Sequence, residues 1–200
     1  MRERSMAKKL EEYKKRRDFT KTPEPKPLIH ENLGENIFVI QQHHASHMHY
    51  DLRLEIGGVL KSWAVPKGPS LDPRVKRLAA ATEDHPMEYA TFEGIIPEGY
   101  GAGTVIVWDT GTFENLTEKN NKQLSLSEAF DHGHIKIDLH GKKLQGIYTL
   151  TRFQERNWLL AKYNDEHADA RRNPVSTQPE SVLSDKTIKK LDKKFERKKK

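Results

Sequence analysis

A chain of 200 residues with 34% hydrophobic and 32% charged content is expected to form one domain with polar extensions. The absence of cysteine excludes disulfides and thiolate metal sites and fits a reducing intracellular compartment; no apolar run is long enough to span a membrane, and the charged N-terminus lacks the apolar centre of a secretory signal. The net charge of +6 is concentrated at the ends, +7 over residues 186–200 and +5 over residues 1–17, which leaves −6 for the body between them. Basic ends on an acidic body read first as solvated tails and only second as arms for nucleic acid.

In chain order, residues 6–17 are predicted to be helical, with Leu10 and Tyr13 three apart among good helix formers. Pro23, Pro25 and Pro27 end any such helix. From about residue 36 to 165 short β-rich runs follow: ENIFVIQQH, HMHYDLRLE, VLKSWAV, ATFEG, GTVIVWD, GTFEN, HIKIDLH, GIYTLTRF and NWLLAKY. Glycines and prolines punctuate them, so the expected fold is mainly all-β, a small antiparallel β-barrel with short helices at its N- and C-terminal ends. The one helix candidate inside this region is KQLSLSEAFDHG, residues 122–133. EGYGAG, residues 98–103, runs straight into a strand and reads as a glycine-rich hairpin rather than a phosphate cradle. Trp63 and Trp108 lie in strand-like runs and are expected in the core. After Tyr163 the chain turns polar and is expected to be an extended, mobile connection. It leads to a helix with Ser184 or Asp185 as N-cap and Ile188, Leu191 and Phe195 on one face. The expected organisation is a basic, partly helical extension over residues 1–22, the barrel over 23–165, and a polar linker with a basic helix or tail over 166–200.

His43, His44, His47 and His49 fall within seven residues of a chain that holds ten histidines. Strand alternation sorts HMHYDLRLE into two faces. Met48, Tyr50, Leu52 and Leu54 form an apolar side; His47, His49, Asp51, Arg53 and Glu55 form a uniformly ionisable one. The bland reading is a strand with one wet face. Against it, solvent faces favour Lys, Thr, Glu and Ser over a run of His, Asp and Arg. If the preceding strand pairs across the short turn near Ala45-Ser46, His43 comes close to His49 and Asp51. Two imidazoles and a carboxylate form a three-ligand set for Mn²⁺, Fe²⁺ or Zn²⁺ with open positions, and Arg53 adds a fork-shaped cation for phosphate.

The stretch FVIQQHHASHMHYDLRLEIGGVLKSWAVPKGPSLDPRVKRLAAATEDHPMEYATFEGIIPEGYGAGTVIVWDTGTF, residues 38–113, resembles the 3′-phosphoesterase domain of bacterial ATP-dependent DNA ligase D and its stand-alone relatives. The likeness covers most of residues 20–165. No polymerase or ligase region accompanies it, so the expected form is the free-standing one. The resemblance implies a manganese-dependent enzyme, with Co²⁺ or Zn²⁺ as alternative ions, that acts on 3′ ends of DNA or of a DNA–RNA primer–template. It implies removal of a terminal ribonucleoside to leave a 3′-phosphate, then hydrolysis to a 3′-hydroxyl. The setting it implies is double-strand-break repair by end joining, beside a separate ligase and polymerase, in the cytoplasm at the nucleoid, with no membrane. By the same resemblance the metal ligands are His43, His49 and Asp51, and Arg53, His85 and Tyr89 contact phosphate. Gln41, Lys67, Arg77 and Glu24 are further functional positions, with Lys67 and Arg77 among those that bind substrate.

In EDHPMEY, His85 and Tyr89 read as a pair that holds phosphate and protonates the leaving oxygen, with Tyr89 or protonated His85 as the acid; the plainer alternative is a turn histidine and a core tyrosine. Lys61, Lys67, Arg74, Lys76 and Arg77 make a basic stretch, either an ordinary exposed loop or a contact to a nucleic-acid backbone. Two rival classes stand beside the phosphoesterase. His49-x-Asp51 with a distant His140 and Arg152 imitates a two-histidine, one-carboxylate iron oxygenase, which needs His140 and not His43. A non-catalytic single-strand binder would use the barrel surface and basic ends.

Overall fold

The computed structural model describes residues 9–28 and 36–199, with side chains as far as Lys193. The helix predicted over residues 6–17 is short, α1 (Glu11–Lys15), and its predicted first turn at residues 6–8 lies outside the described residues. Eleven strands follow among the described residues: β1 (Ile37–His44), β2 (Met48–Ile56), β3 (Val59–Val65), β4 (Lys76–Ala81), β5 (Gly94–Ile96), β6 (Gly103–Asn115), β7 (Glu118–Lys119), β8 (Lys122–Gln123), β9 (His134–Gly141), β10 (Gln145–Arg152) and β11 (Asn157–Lys162). The sheet runs β1-β2-β3-β4-β11-β10-β9-β6-β5, and an additional β1–β6 pairing closes it. Eight of these strands therefore form an antiparallel barrel, and β5 extends β6 beyond the point of closure.

Several elements differ from the sequence reading. GTVIVWD and GTFEN are one 13-residue strand, β6, because Gly111 stays within the pleat, where it faces the Gly141 backbone. ATFEG is not a strand: Met87–Thr91 form a 3₁₀ turn after Pro86, and only from Gly94 does the chain pair again. KRLAAA, unassigned in the sequence, is β4, whose partner β11 supplies the pairing that its weak alternation does not advertise. The internal helix begins later than residue 122, as α2 (Leu126–His132), where Ser125 and Glu128 form a reciprocal capping box. EGYGAG does form a hairpin turn, joining β5 to β6.

The barrel interior is filled by inward positions, with Trp63, Trp108 and Trp158 fully buried among Phe38, Leu52, Leu54, Ile135 and Leu150. The outer face of β1, β2, β3 and β6 is covered as well. A second apolar cluster lies there, built from Tyr13 of α1, Val39, Leu60, Val107, Tyr89 and Ala90. The first described residues thus lie over one side of the barrel: Tyr13 is fully buried and its hydroxyl donates to the Pro25 carbonyl at 2.7 Å.

The segment after Tyr163, expected to be mobile, is pinned across the barrel. Asp169 N–H donates to the Leu71 carbonyl at 3.1 Å, Val182 N–H to Val107 at 3.0 Å, and Trp108 Nε1 to the Gln178 carbonyl at 2.7 Å. It contains α3 (Pro174–Thr177) and leads into α4 (Ile188–Lys199). Thr187, rather than Ser184 or Asp185, faces the start of α4, where Lys190 N–H reaches Thr187 Oγ1. Ile188 is buried; the side chain of Phe195 lies outside the described residues.

Candidate metal centre and phosphate site

Register places the predicted ligands together. β1 and β2 pair so that His43 faces His49 and Gln41 faces Asp51. Cross-strand partners share a sheet face, so all four side chains point outward from the barrel. His43 Nδ1 lies 3.6 Å from Asp51 Oδ2, and His49 Nε2 lies 3.6 Å from Asp51 Oδ1. The three ligand atoms lie within 4.8 Å of one another, the one such group among the described residues.

The other nitrogen of each imidazole is already engaged. His43 Nε2 is 3.0 Å from the Gly101 carbonyl and His49 Nδ1 is 3.0 Å from the His47 carbonyl. A carbonyl only accepts, so each ring carries a proton on that outer nitrogen and turns its other nitrogen toward Asp51. Two imidazole nitrogens facing one carboxylate form a concentrated N/O donor set, and a carbonyl bonded to the far nitrogen is how metal-binding histidines are oriented. The residues therefore fit a divalent ion.

Next to this set is a buried network. Arg53, 3% exposed, donates through Nε to Gln41 Oε1 at 2.8 Å, through Nη1 to Ser62 Oγ at 2.9 Å and through Nη2 to Asp51 Oδ2 at 3.2 Å. Gln41 is itself fixed by donating to the carbonyls of Tyr89 and Phe92. Arg53 Nη1 is also 2.9 Å from His85 Nδ1, and its guanidinium lies 4.7 Å from the centre of the Tyr89 ring. Burial would raise the Asp51 carboxyl, but the Arg53 charge and the two imidazoles outweigh it and hold it down to about 2. His85 goes the other way. Burial, then the charges of Arg53 and Arg17, push its pKa well below the ordinary histidine range. Without substrate these effects favour the neutral ring at neutral pH. Tyr89 is raised, mainly by burial, and its hydroxyl donates to Glu24 Oε1 at 2.9 Å.

These groups line one cavity of about 230 Å³: His43, His49, Asp51 and Arg53 on one side, His85, Tyr89 and Glu24 on the other. A second cavity, of about 270 Å³, shares Arg17, Glu24 and Tyr100 with the first.

Comparison with known proteins identifies the family. The family model of the DNA ligase D 3′-phosphoesterase domain matches residues 41–152, a span that begins at Gln41 and takes in His43, His49, Asp51, Arg53, His85 and Tyr89. The chain belongs to the DNA ligase D 3′-phosphoesterase domain family. Among relatives, the multifunctional non-homologous end joining protein LigD of Pseudomonas aeruginosa is 46% identical over 192 residues, which is 91% of this chain and 22% of the relative. The protein of the same name in Mycolicibacterium smegmatis is 48% identical over 164 residues, 80% of this chain and 21% of the relative. The multifunctional non-homologous end joining DNA repair protein LigD of Mycobacterium tuberculosis is 47% identical over 163 residues, 80% and 20% respectively. The chain thus spans about a fifth of the length of these relatives.

Of the ten residues expected at a site in this 3′-phosphoesterase family member, eight are brought together: Glu24, Gln41, His43, His49, Asp51, Arg53, His85 and Tyr89. Lys67 and Arg77 do not line the cavity. Lys67 is exposed in the turn after β3. Arg77 pairs with Leu160 of β11, and alternation puts it on the same face as the buried Ala79, opposite to Ala80, which pairs with the cavity-lining Ala64. His140, which the oxygenase alternative needs, is on β9 beside Glu114 and lines a different cavity.

Sequence reasoning missed Arg17 and Glu83. Arg17 donates to Glu24 at 2.8 Å and to Glu83 at 3.0 Å, and its Nη2 lies 3.2 Å from His85 Nε2. Its guanidinium lies 3.8 Å from the centre of the Tyr13 ring. In the sequence Arg17 ends a basic run that reads as tail. Glu83, in ATEDHP, sits two residues before His85, and that proximity was the one available signal.

Proposed function

We propose that this chain is a divalent-metal-dependent phosphoesterase that trims 3′ ends of nucleic acid in end-joining repair. It would remove a terminal ribonucleoside to leave a 3′-phosphate, then hydrolyse that monoester to a 3′-hydroxyl. The observation that carries the reading is the pair of imidazole nitrogens within 3.6 Å of Asp51, with the buried Arg53 guanidinium bonded to the same carboxylate. His43, His49 and Asp51 would hold the ion. Mn²⁺ is the proposed metal, with Co²⁺ or Zn²⁺ as alternatives that the same N/O donors accept. When bound, the ion supplies positive charge that favours the negative charge built up on phosphate as the ester bond breaks.

The chain's own residues supply the rest. Arg53, preset by Gln41 and Ser62, offers fork geometry to a phosphate oxygen without a cost of ordering. Neutral His85 lies between Arg53 and Arg17. A phosphate dianion beside it would raise its proton affinity, so that the ring gains a proton as substrate binds and passes it to the leaving oxygen. Tyr89, kept as a neutral phenol by burial and by its bond to Glu24, positions the Arg53 face. Lys67 is assigned to a backbone phosphate outside the cavity. Work alongside a ligase and a polymerase, at the nucleoid of the cytoplasm, completes the reading; among the described residues no helix is long and apolar enough to cross a membrane.

The test is a labelled primer–template ending in one ribonucleotide, incubated with purified protein and Mn²⁺ or chelator. Stepwise appearance of the 3′-phosphate and then the 3′-hydroxyl, with Mn²⁺ only, is expected. Product that forms equally with chelator would remove the metal from the account, and no product with either would remove the catalytic reading.

A further inference from the structure

Over its described side chains, helix α4 turns its acid inward and its lysines outward. Asp192, the single acid in residues 186–193, is turned toward the barrel, where Oδ2 lies 3.0 Å from His44 Nδ1 and Oδ1 accepts from Thr104 Oγ1. Ile188 is 4% exposed against the same wall. Lys189, Lys190 and Lys193 are exposed, with the helix's inward acid already engaged. The sequence of residues 186–200 as a whole holds nine Lys or Arg against two acids.

A solvated tail needs no fixed place, but this helix has one. The approach to it is held by Val182 N–H on the Val107 carbonyl at 3.0 Å, by Lys142 Nζ on the Val182 carbonyl at 3.0 Å, and by Ser181 Oγ donating to Glu93. Its landing point is functional ground. His44 directly follows His43, and the next residue, Ala45, lines the candidate site's cavity. The lysines therefore stand next to the strand end that carries a proposed metal ligand.

We infer that α4 is a phosphate-backbone clamp in which Lys189, Lys190 and Lys193 hold the nucleic-acid strand a few nucleotides from the end that occupies the cavity. The inference rests on the reading of that cavity given above and adds how the strand is gripped. Lysines on successive turns, about 6 Å apart along the axis for four residues, present point charges with no base-reading fork, which suits contact that is independent of sequence. Lys189, Lys190 and Lys193 offer no apolar anchor between them, so the described outer face lacks what an interfacial membrane helix uses.

The experiment compares the full chain with K189A/K190A/K193A. Fluorescence anisotropy measures affinity for a primer–template over a salt series, and kcat/KM is measured on that duplex and on a 3′-phosphorylated mononucleotide. The triple variant is expected to bind the duplex about tenfold more weakly at moderate salt, with a salt slope reduced by about two to three. Its kcat/KM should fall on the duplex and stay unchanged on the mononucleotide. Unchanged affinity and salt slope would overturn the clamp and leave the lysines as a solvated or protein-facing surface. An equal loss on both substrates would overturn it too, since a strand grip has no hold on a mononucleotide. If the wild-type chain turns over neither substrate, the catalytic reading fails, and the anisotropy comparison still decides the clamp.

Discussion

Arg53→Lys keeps the charge and removes the fork. In the structure the guanidinium reaches Gln41 at 2.8 Å, Ser62 at 2.9 Å and Asp51 at 3.2 Å from three different nitrogens. One ammonium on a shorter head can occupy only one of these positions. Ser62 keeps its bond to the Leu60 carbonyl, but Gln41 Oε1 and the Asp51 carboxylate compete for what remains. Leaving one or two buried acceptors unmet costs about 1–3 kcal/mol each, so a net loss of about 2–4 kcal/mol of stability is expected. For a chain of this size that lowers the melting temperature by about 5–15 °C. The effect on turnover is separate. Loss of a preorganised donor aimed at phosphate charge is expected to lower kcat by about 10²–10³. Calorimetry gives the first quantity, and steady-state hydrolysis of a 3′-phosphorylated primer, well below the variant's melting temperature, gives the second. A variant that melts within about 2 °C of wild type and turns over within about threefold would refute the argument that fork geometry, rather than charge, is what the site uses.

Asp51, held at about 2 against an ordinary 3.8, stabilises the fold above the unfolded value, and that contribution is lost as pH falls through the folded one. The gap corresponds to about 2 kcal/mol, so wild type should lose about that much more stability than Asp51→Asn in urea melts compared between about pH 5 and pH 2. His85, depressed by burial and two guanidiniums, should show no titration of its ring protons by NMR between about pH 6 and 8 in the substrate-free protein; a midpoint near the ordinary histidine value of 6.5 would contradict the neutral hub. Because its folded pKa is lowered, its contribution to stability is full above the unfolded value and declines as pH falls below it. Gly103, at φ +148°, has no room for a side chain, since a Cβ would lie 2.2 Å from the His44 carbonyl. Gly103→Ala should cost at least about 1 kcal/mol in a thermal melt and, by shifting the Gly101 carbonyl that orients His43, weaken Mn²⁺ binding about tenfold by calorimetric titration. Unaltered Mn²⁺ affinity in that variant would show that the Gly101 bond does not orient the ligand.

Strand periodicity is a local property, and it was legible. The alternation in HMHYDLRLE put His49, Asp51 and Arg53 on one face, and the short link at Ala45-Ser46 made pairing with His43 expected; the observed register of His43 on His49 follows from those two facts. The tryptophans, the β5–β6 hairpin and the barrel class were readable for the same reason. Closure was not. That β1 pairs with β6 as well as β2, and that β4 is a strand at all, depends on partners distant in sequence. Nor did alternation reveal that the ionisable face is buried rather than wet. Gln41 is fully buried and Glu55 nearly so because α1, the 3₁₀ turn and β5 cover the outer wall, and a strand carries no mark of what will be laid over it.

The same division runs through the site. Residue type and spacing along two neighbouring strands determined which donors would meet, since register follows from a period of two and a three-residue turn. Only the tertiary structure decided that Arg17, from a run that looks like tail, joins Glu24, Glu83 and His85, that Lys67 and Arg77 stay off the cavity wall, and that the basic C-terminal helix docks next to His43. Those outcomes depend on desolvation and on charges brought together from segments tens of residues apart, and the energy of such contacts exists only once the barrel has closed.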